Sequence, residues 1–281
     1  MARLTLSVDD HSRDSAGMRY VYPVVSRRAG GVSIGINLNP NNACNWRCIY
    51  CQVPDLKRGG PPPVDLPRLD AELDRFLAWA TVGDFMRTRV PPGARQLMDV
   101  AFSGNGEPTS AAEFAAAVGL VVGQVAAHGL AGKLVPRLIT NGSLLERKTV
   151  QRGIALIGQS GGEVWFKLDA ASAAGINCIN GSRTAPASVA RRLRRCATLA
   201  PTWIQTCLFS LDGQPPQEAE LAAYLEFLRP FAASLAGVHL YGLARPSLQP
   251  EAVRLARLGD AWVEAFAERV RGIGLPVRIS P

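Results

Sequence analysis

Apolar, β-branched runs alternate along the chain with longer stretches of helical period. Six runs read as strands: Val32–Leu38, Gln96–Ser103, Leu134–Thr140, Glu163–Asp169, Thr202–Phe209 and Val238–Leu243, each closing on polar or glycine residues. Helical patterns fill the gaps at about Leu66–Met86, Ala111–His128, Leu144–Leu156, Ala185–Leu199, Pro216–Leu235 and Glu251–Arg271. Strand-helix units in such succession predict an α/β fold with parallel strands and right-handed crossovers, either an open doubly wound sheet or a barrel. The first thirty residues are expected to form an arm or a strand at Tyr20–Val25, with the main fold over 31–281, and LPVRISP suits a short last strand.

Composition changes this picture little. With 281 residues, 47% of them hydrophobic, the chain can build a core without disulfides. The net charge of +8 makes a polyanionic partner such as RNA conceivable. Only four of the 31 basic residues are lysine, which points as much to compositional bias as to a binding face. The run ARRLRR, Ala190–Arg195, reads as a solvated helix face, with a phosphate-contacting stripe as the alternative. The first fifteen residues have no signal-peptide pattern, so the cytoplasm is expected. Phe114–Gly132 carries no formal charge, yet Gln124, His128 and its place in the strand-helix rhythm favour a buried helix over a membrane span.

Chemistry concentrates where strands end. In NACNWRCIYCQ, Cys44, Cys48 and Cys51 form a CxxxCxxC spacing directly after the first main strand. A single zinc ion wants a fourth ligand, and His11, His128 and His239 are all distant in sequence. An iron–sulfur cluster, ordinarily held by four cysteines, would here keep one iron open for a ligand. After the second strand comes FSGNGEPT, whose Gly104 and Gly106 allow close backbone approach and whose Glu107 offers a carboxylate to an ammonium group. Thr140 and Asn141 end the third strand, where parallel barrels gather their active sites; a helix cap is an equal reading. Alternation puts Lys167 and Asp169 on one face and Phe166 and Leu168 on the other, so an ion pair is expected to point inward. By the same alternation Gln205 shares a face with Cys207, and His239 with Tyr241, while Arg245 follows on the next loop. Cys178 and Cys196 join Cys207 in an irregular spacing that makes only a weak case for a second cluster.

Together these motifs resemble the radical S-adenosylmethionine superfamily. The resemblance implies a partial (βα)6 TIM-like barrel in which Cys44, Cys48 and Cys51 hold a [4Fe-4S] cluster and S-adenosylmethionine chelates the open iron. Reduction of the cluster by a donor such as flavodoxin or ferredoxin then cleaves the cofactor to methionine and a 5′-deoxyadenosyl radical, which abstracts hydrogen from substrate. It further implies that Tyr50 lies by the adenine and that Gly104, Asn105, Gly106 and Glu107 hold the methionine amino group, with Asn105 standing where the family motif has glycine. Thr140 and Asn141 become contacts to the ribose or carboxylate. Lys167, Asp169, Cys207 and His239 become catalytic candidates, and Gln205, Tyr241 and Arg245 candidate substrate contacts.

From about Gly31 onward, INLNPNNACNWRCIYCQVP, FSGNGEPT, FKLDAAS, IQTCLF and LYGLARPSLQPEA resemble the branch related to tRNA wyosine synthetase. No cysteine precedes Cys44 and no lysine precedes Lys57, so that branch's second cluster and Schiff-base lysine have no counterpart here. The expected substrate is a nucleoside in tRNA or another RNA. A glycyl-radical partner protein is the alternative, and a zinc-stabilised, non-catalytic RNA-binding module is a reading of another class.

Overall fold

The computed structural model describes residues 5–6, 16–26 and 29–280, and in it the alternating runs build one eight-stranded sheet. Its strands are β1 (Val21–Ser26), β2 (Gly31–Ile36), β3 (Leu97–Phe102), β4 (Val135–Thr140), β5 (Glu163–Lys167), β6 (Thr202–Cys207), β7 (Gly237–Tyr241) and β8 (Val277–Ser280), side by side in chain order. Only β1 runs antiparallel to its neighbour. The seven strands from β2 onward are parallel, and the sheet curls into a partial barrel.

Helices fill the crossovers: α1 (Leu66–Thr81), α2 (Phe85–Arg89), α3 (Phe114–Ala127), α4 (Lys148–Gln159), α5 (Ala173–Asn180), α6 (Pro186–Ala197), α7 (Glu218–Leu228) and α8 (Asp260–Arg271). The strand period of two explains the layering. Ile34, Val100, Phe102, Leu138, Val164, Phe166, Ile204 and Leu240 turn outward into one core with helix residues such as Phe76, Val121, Ile154 and Phe266. At alternate positions Ser33, Asp99, Arg137, Trp165, Lys167 and Gln205 line the inner, concave side.

Two groups fill part of that inner side. Arg137 pairs with Asp99 and with Glu163, at 2.8 Å for the latter, and Ser33 donates to Asp99. Beside it runs a stack of flat groups. The Arg137 guanidinium lies 4.2 Å from the Trp165 ring, the His239 ring lies 4.5 Å from Trp165 and 4.7 Å from Trp203, and Arg278 lies 4.1 Å from Trp203.

Several expected boundaries move. The first long helix splits at Val82–Asp84, the helix expected to reach Leu235 ends at Leu228 ahead of Pro230, and the last begins only after Gly259. Helix α5 was not expected. The uncharged stretch becomes α3, which buries Phe114, Val118, Val121 and Val125; among the described residues no helix is long and apolar enough to cross a membrane. In the basic run, Arg191 and Arg192 pair with Glu146, while Arg194 and Arg195 are exposed. Of the expected N-terminal arm, residues 1–4, 7–15 and 27–28, and with them His11, lie outside the described residues.

Candidate functional site

The three cysteines sit on the loop after β2, at the C-terminal mouth of the parallel strands. Its asparagines hold it in shape. Asn37 Oδ1 accepts from the amides of Asn39 and Asn105, both at 3.1 Å, and Asn39 Nδ2 donates to the Ala43 carbonyl at 3.0 Å. Gly104 and Gly106 are needed here: a Cβ on the first would strike Asn37, and one on the second Ala43 and Asn39. The close approach these glycines permit includes the chain's own loop, and both also line the cavity beside the cysteines. Asn45 braces the loop against the end of β4, donating to Ser143 Oγ at 2.7 Å and accepting from Asn141 Nδ2 at 2.8 Å.

On its other side the loop rests on the segment after β7. Ser247 Oγ donates to the Ile49 carbonyl at 2.7 Å, the Leu248 amide to Cys51 at 2.9 Å, and Gln249 Nε2 to Val53 at 3.1 Å. Arg245 donates to Gln52 Oε1 at 2.6 Å. Helix α5 supports a third side, since the Arg47 and Ile49 amides donate to the carbonyls of Asn180 and Ile179.

Glu107 is buried, and its carboxylate is a clasp. Oε1 accepts from Thr109 N at 3.2 Å and from the hydroxyls of Thr109 and Thr140, each at 2.6 Å; Oε2 accepts from Asn141 N at 2.7 Å. Burial raises its pKa, and the bonds from Thr109, Thr140 and Asn141 oppose that shift. Thr140, fully buried, serves this clasp.

Lys167 and Asp169 do share the inner side, as alternation requires. They form no direct ion pair, because each has nearer partners. Lys167 Nζ donates to Tyr241 Oη at 3.0 Å and lies 5.0 Å from the Tyr50 ring. Burial works against its ammonium, but Tyr241, Asp169 and Cys48 outweigh that cost and hold its pKa above the usual lysine value. Asp169 accepts from Tyr50 Oη at 2.5 Å, Asn180 Nδ2 at 2.7 Å and the Cys207 amide at 2.9 Å.

One cavity of about 300 Å³ gathers most of the expected residues. Cys44, Cys48, Cys51, Tyr50, the Gly104–Glu107 turn, Asn141, Lys167, Gln205, Cys207, Tyr241 and Arg245 line it; Thr140, Asp169 and His239 do not. Within that lining the buried acceptor Asn105 Oδ1 and the buried donor Gln205 Nε2 have no hydrogen-bond partner among the described residues. Unmet polar groups in a cavity mark where a ligand's own polar atoms belong.

The thiols fit an iron–sulfur cluster by their donors. Trp46 N points to Cys44 Sγ at 3.4 Å and Asn180 Nδ2 to Cys48 Sγ at 3.3 Å, contacts that favour thiolates. Burial pushes the Cys44 thiol up to about 11 and the Cys48 thiol to about 12, so bound cations would have to drive their ionisation. Among the described residues no three His, Cys, Asp or Glu side chains converge as a ready-made single-ion site, and Cys178, Cys196 and Cys207 do not gather into a second one. Sequence pattern missed Asn180, Ser247 and Gln249. The run of asparagines before Cys44 was the one legible sign of how this loop is held.

No family model and no curated protein matches the chain. Solved structures match in fold. A radical SAM methyltransferase from Sphaerobacter thermophilus superposes with a TM-score of 0.62 at 15% identity, over 92% of this chain and 68% of its own. The structure of anSMEcpe with bound AdoMet superposes at 0.52, also at 15% identity, over 88% of this chain and 64% of its own. The partial barrel is thus the fold of these radical SAM structures.

Proposed function

We propose that the protein is a radical S-adenosylmethionine enzyme whose Cys44, Cys48 and Cys51 hold a [4Fe-4S] cluster at the mouth of the barrel. The observation that carries this reading is the union, in one cavity, of three cysteines on a braced loop with an unpartnered acceptor and an unpartnered donor. When bound, the cluster supplies the electron that cleaves S-adenosylmethionine and so provides a radical able to abstract hydrogen. The chain's own residues bind and orient. Asn105 Oδ1 meets the ammonium of the methionine moiety, with Glu107 fixing the turn that carries Asn105. Tyr50, anchored on Asp169, packs against the adenosyl part. Gln205 Nε2 and Lys167, both deeper on the inner wall, offer donors to a carbonyl or anionic group of the substrate. That the same fold carries AdoMet in anSMEcpe supports the cofactor.

The substrate we propose is a nucleoside in RNA, on the resemblance to the wyosine branch and the net charge of +8. Anaerobic reconstitution tests the core: about four irons per chain and 5′-deoxyadenosine on reduction with S-adenosylmethionine are expected, while zinc, or no metal and no cleavage, would refute it. RNA nucleoside profiling of a deletion strain tests the substrate, and an unchanged profile counts against RNA.

A further inference from the structure

Asn180 closes helix α5, a helix the sequence pattern did not reveal, and is 1% exposed. Its Nδ2 lies 2.7 Å from Asp169 Oδ2 and 3.3 Å from Cys48 Sγ. An amide nitrogen carries two protons, so both contacts are made at once. The flipped amide would set an oxygen against a carboxylate oxygen and a sulfur, two acceptors, so the neighbours themselves fix its orientation. Backbone geometry holds the amide where it is. The Asn180 carbonyl receives the Arg47 amide at 3.0 Å, the Ile179 carbonyl receives the Ile49 amide at 2.9 Å, and Gly181 ends the helix at φ +59°. The residues on either side of Cys48 are thus tied to the end of α5, and Asn180 addresses the sulfur between them.

A hydrogen bond donated to a cluster sulfur draws off charge, and such bonds are among the levers that set cluster potentials. The need for one is physical. The C-terminal end of a helix is its negative end, and α5 turns that end toward the cysteine loop, which disfavours an added electron. At Cys48 the Asn180 amide opposes this alongside the Lys167 ammonium, and it alone donates a hydrogen bond to the sulfur among the contacts described, while Asp169 keeps it from turning away. We propose that Asn180 is a positioning residue that raises the reduction potential of the cluster by donating one amide proton to Cys48 Sγ while Asp169 holds the other. The proposal rests on the cluster assignment made above.

The test is an EPR-monitored potentiometric titration of reconstituted wild-type, Asn180→Leu and Asn180→Asp proteins, each with its iron and sulfide measured. Leucine removes the donor at similar size; aspartate removes it and adds negative charge. At wild-type iron content the midpoint is expected to shift to more negative potential in Asn180→Leu and further in Asn180→Asp. Midpoints equal to wild type in both variants overturn the proposal. Loss of iron from both also overturns it, since Asn180 then only holds the loop in place. If one variant alone loses iron, the potential of the other decides. Wild-type protein that takes up no iron–sulfur cluster refutes the proposed function itself, a failure visible before any variant is compared.

Discussion

At Glu107 four donors converge on one buried carboxylate, from Thr109, Thr140 and Asn141. Removing it strands those donors, and a buried donor left without a partner costs roughly 1–3 kcal/mol. Glu107→Ala should therefore lower the stability of the metal-free protein by about 3 kcal/mol in urea unfolding, beyond any loss of cofactor binding. A residue that only grips the cofactor would leave the apo protein's unfolding curve where it was. Cys48→Ala is the opposite case. The loop loses one contact from Asn180, and only a single sulfur is removed from the small apolar cluster around Ile49, Tyr50 and Phe209, so apo stability should fall by no more than about 1 kcal/mol while cofactor cleavage disappears. Cleavage that survives this change would remove Cys48 from the ligand set. Residue pattern anticipated that Lys167 and Asp169 face inward, because alternation is a property of any strand. It could not anticipate that Tyr241 and Asp169's three donors would part them, because those partners come from elements far along the chain.

Among elements, α1 shows how a helix positions a strand it does not precede. Glu72 on its buried face accepts from the amides of Arg19 at 3.0 Å and Tyr20 at 2.8 Å, just before β1, and from Arg68 Nε at 2.8 Å. Burial would raise its pKa, but the Arg19 and Tyr20 amides and Arg68 outweigh that and lower it. A carboxylate whose folded pKa is lowered contributes stability above its unfolded value, about 4.3, and loses it as the pH falls through the folded value. Glu72→Gln should therefore be less stable than wild type near neutral pH, and the gap should close progressively below about pH 4.3. Unfolding curves for both proteins over that range give the answer; a gap independent of pH would deny the linkage. The parallel strands were legible because each combines β-branched runs with a fixed period. Helix α5 was not, since its eight residues, AAGINCIN, are too short to establish a period and it is held by tertiary contacts: Ser172, its cap, donates to Glu220 on α7 at 2.6 Å.

Across the whole molecule, the sheet's inner wall depends on charges that sequence pattern does not connect. Asp99 on β3, Arg137 on β4 and Glu163 on β5 form one chain, buried at Asp99 and Arg137 and half-buried at Glu163, with Ser33 of β2 donating to Asp99. The two acids are not equivalent in what their common partner means to them. Without Asp99, Arg137 keeps Glu163 and its place over Trp165; without Arg137, Asp99 is left with the Ser33 hydroxyl as its remaining partner in this chain. Breaking a buried pair from one side costs roughly 3–5 kcal/mol, because the surviving charge stays desolvated. Arg137→Met should thus be the more destabilising change and Asp99→Asn the lesser. The double variant should cost less than the sum of the two, since the charge each single change strands is then gone. Urea unfolding of the four proteins completes the cycle. Additive losses would mean that the barrel wall is held strand by strand, and that the cavity above it does not depend on this chain of charges for its shape.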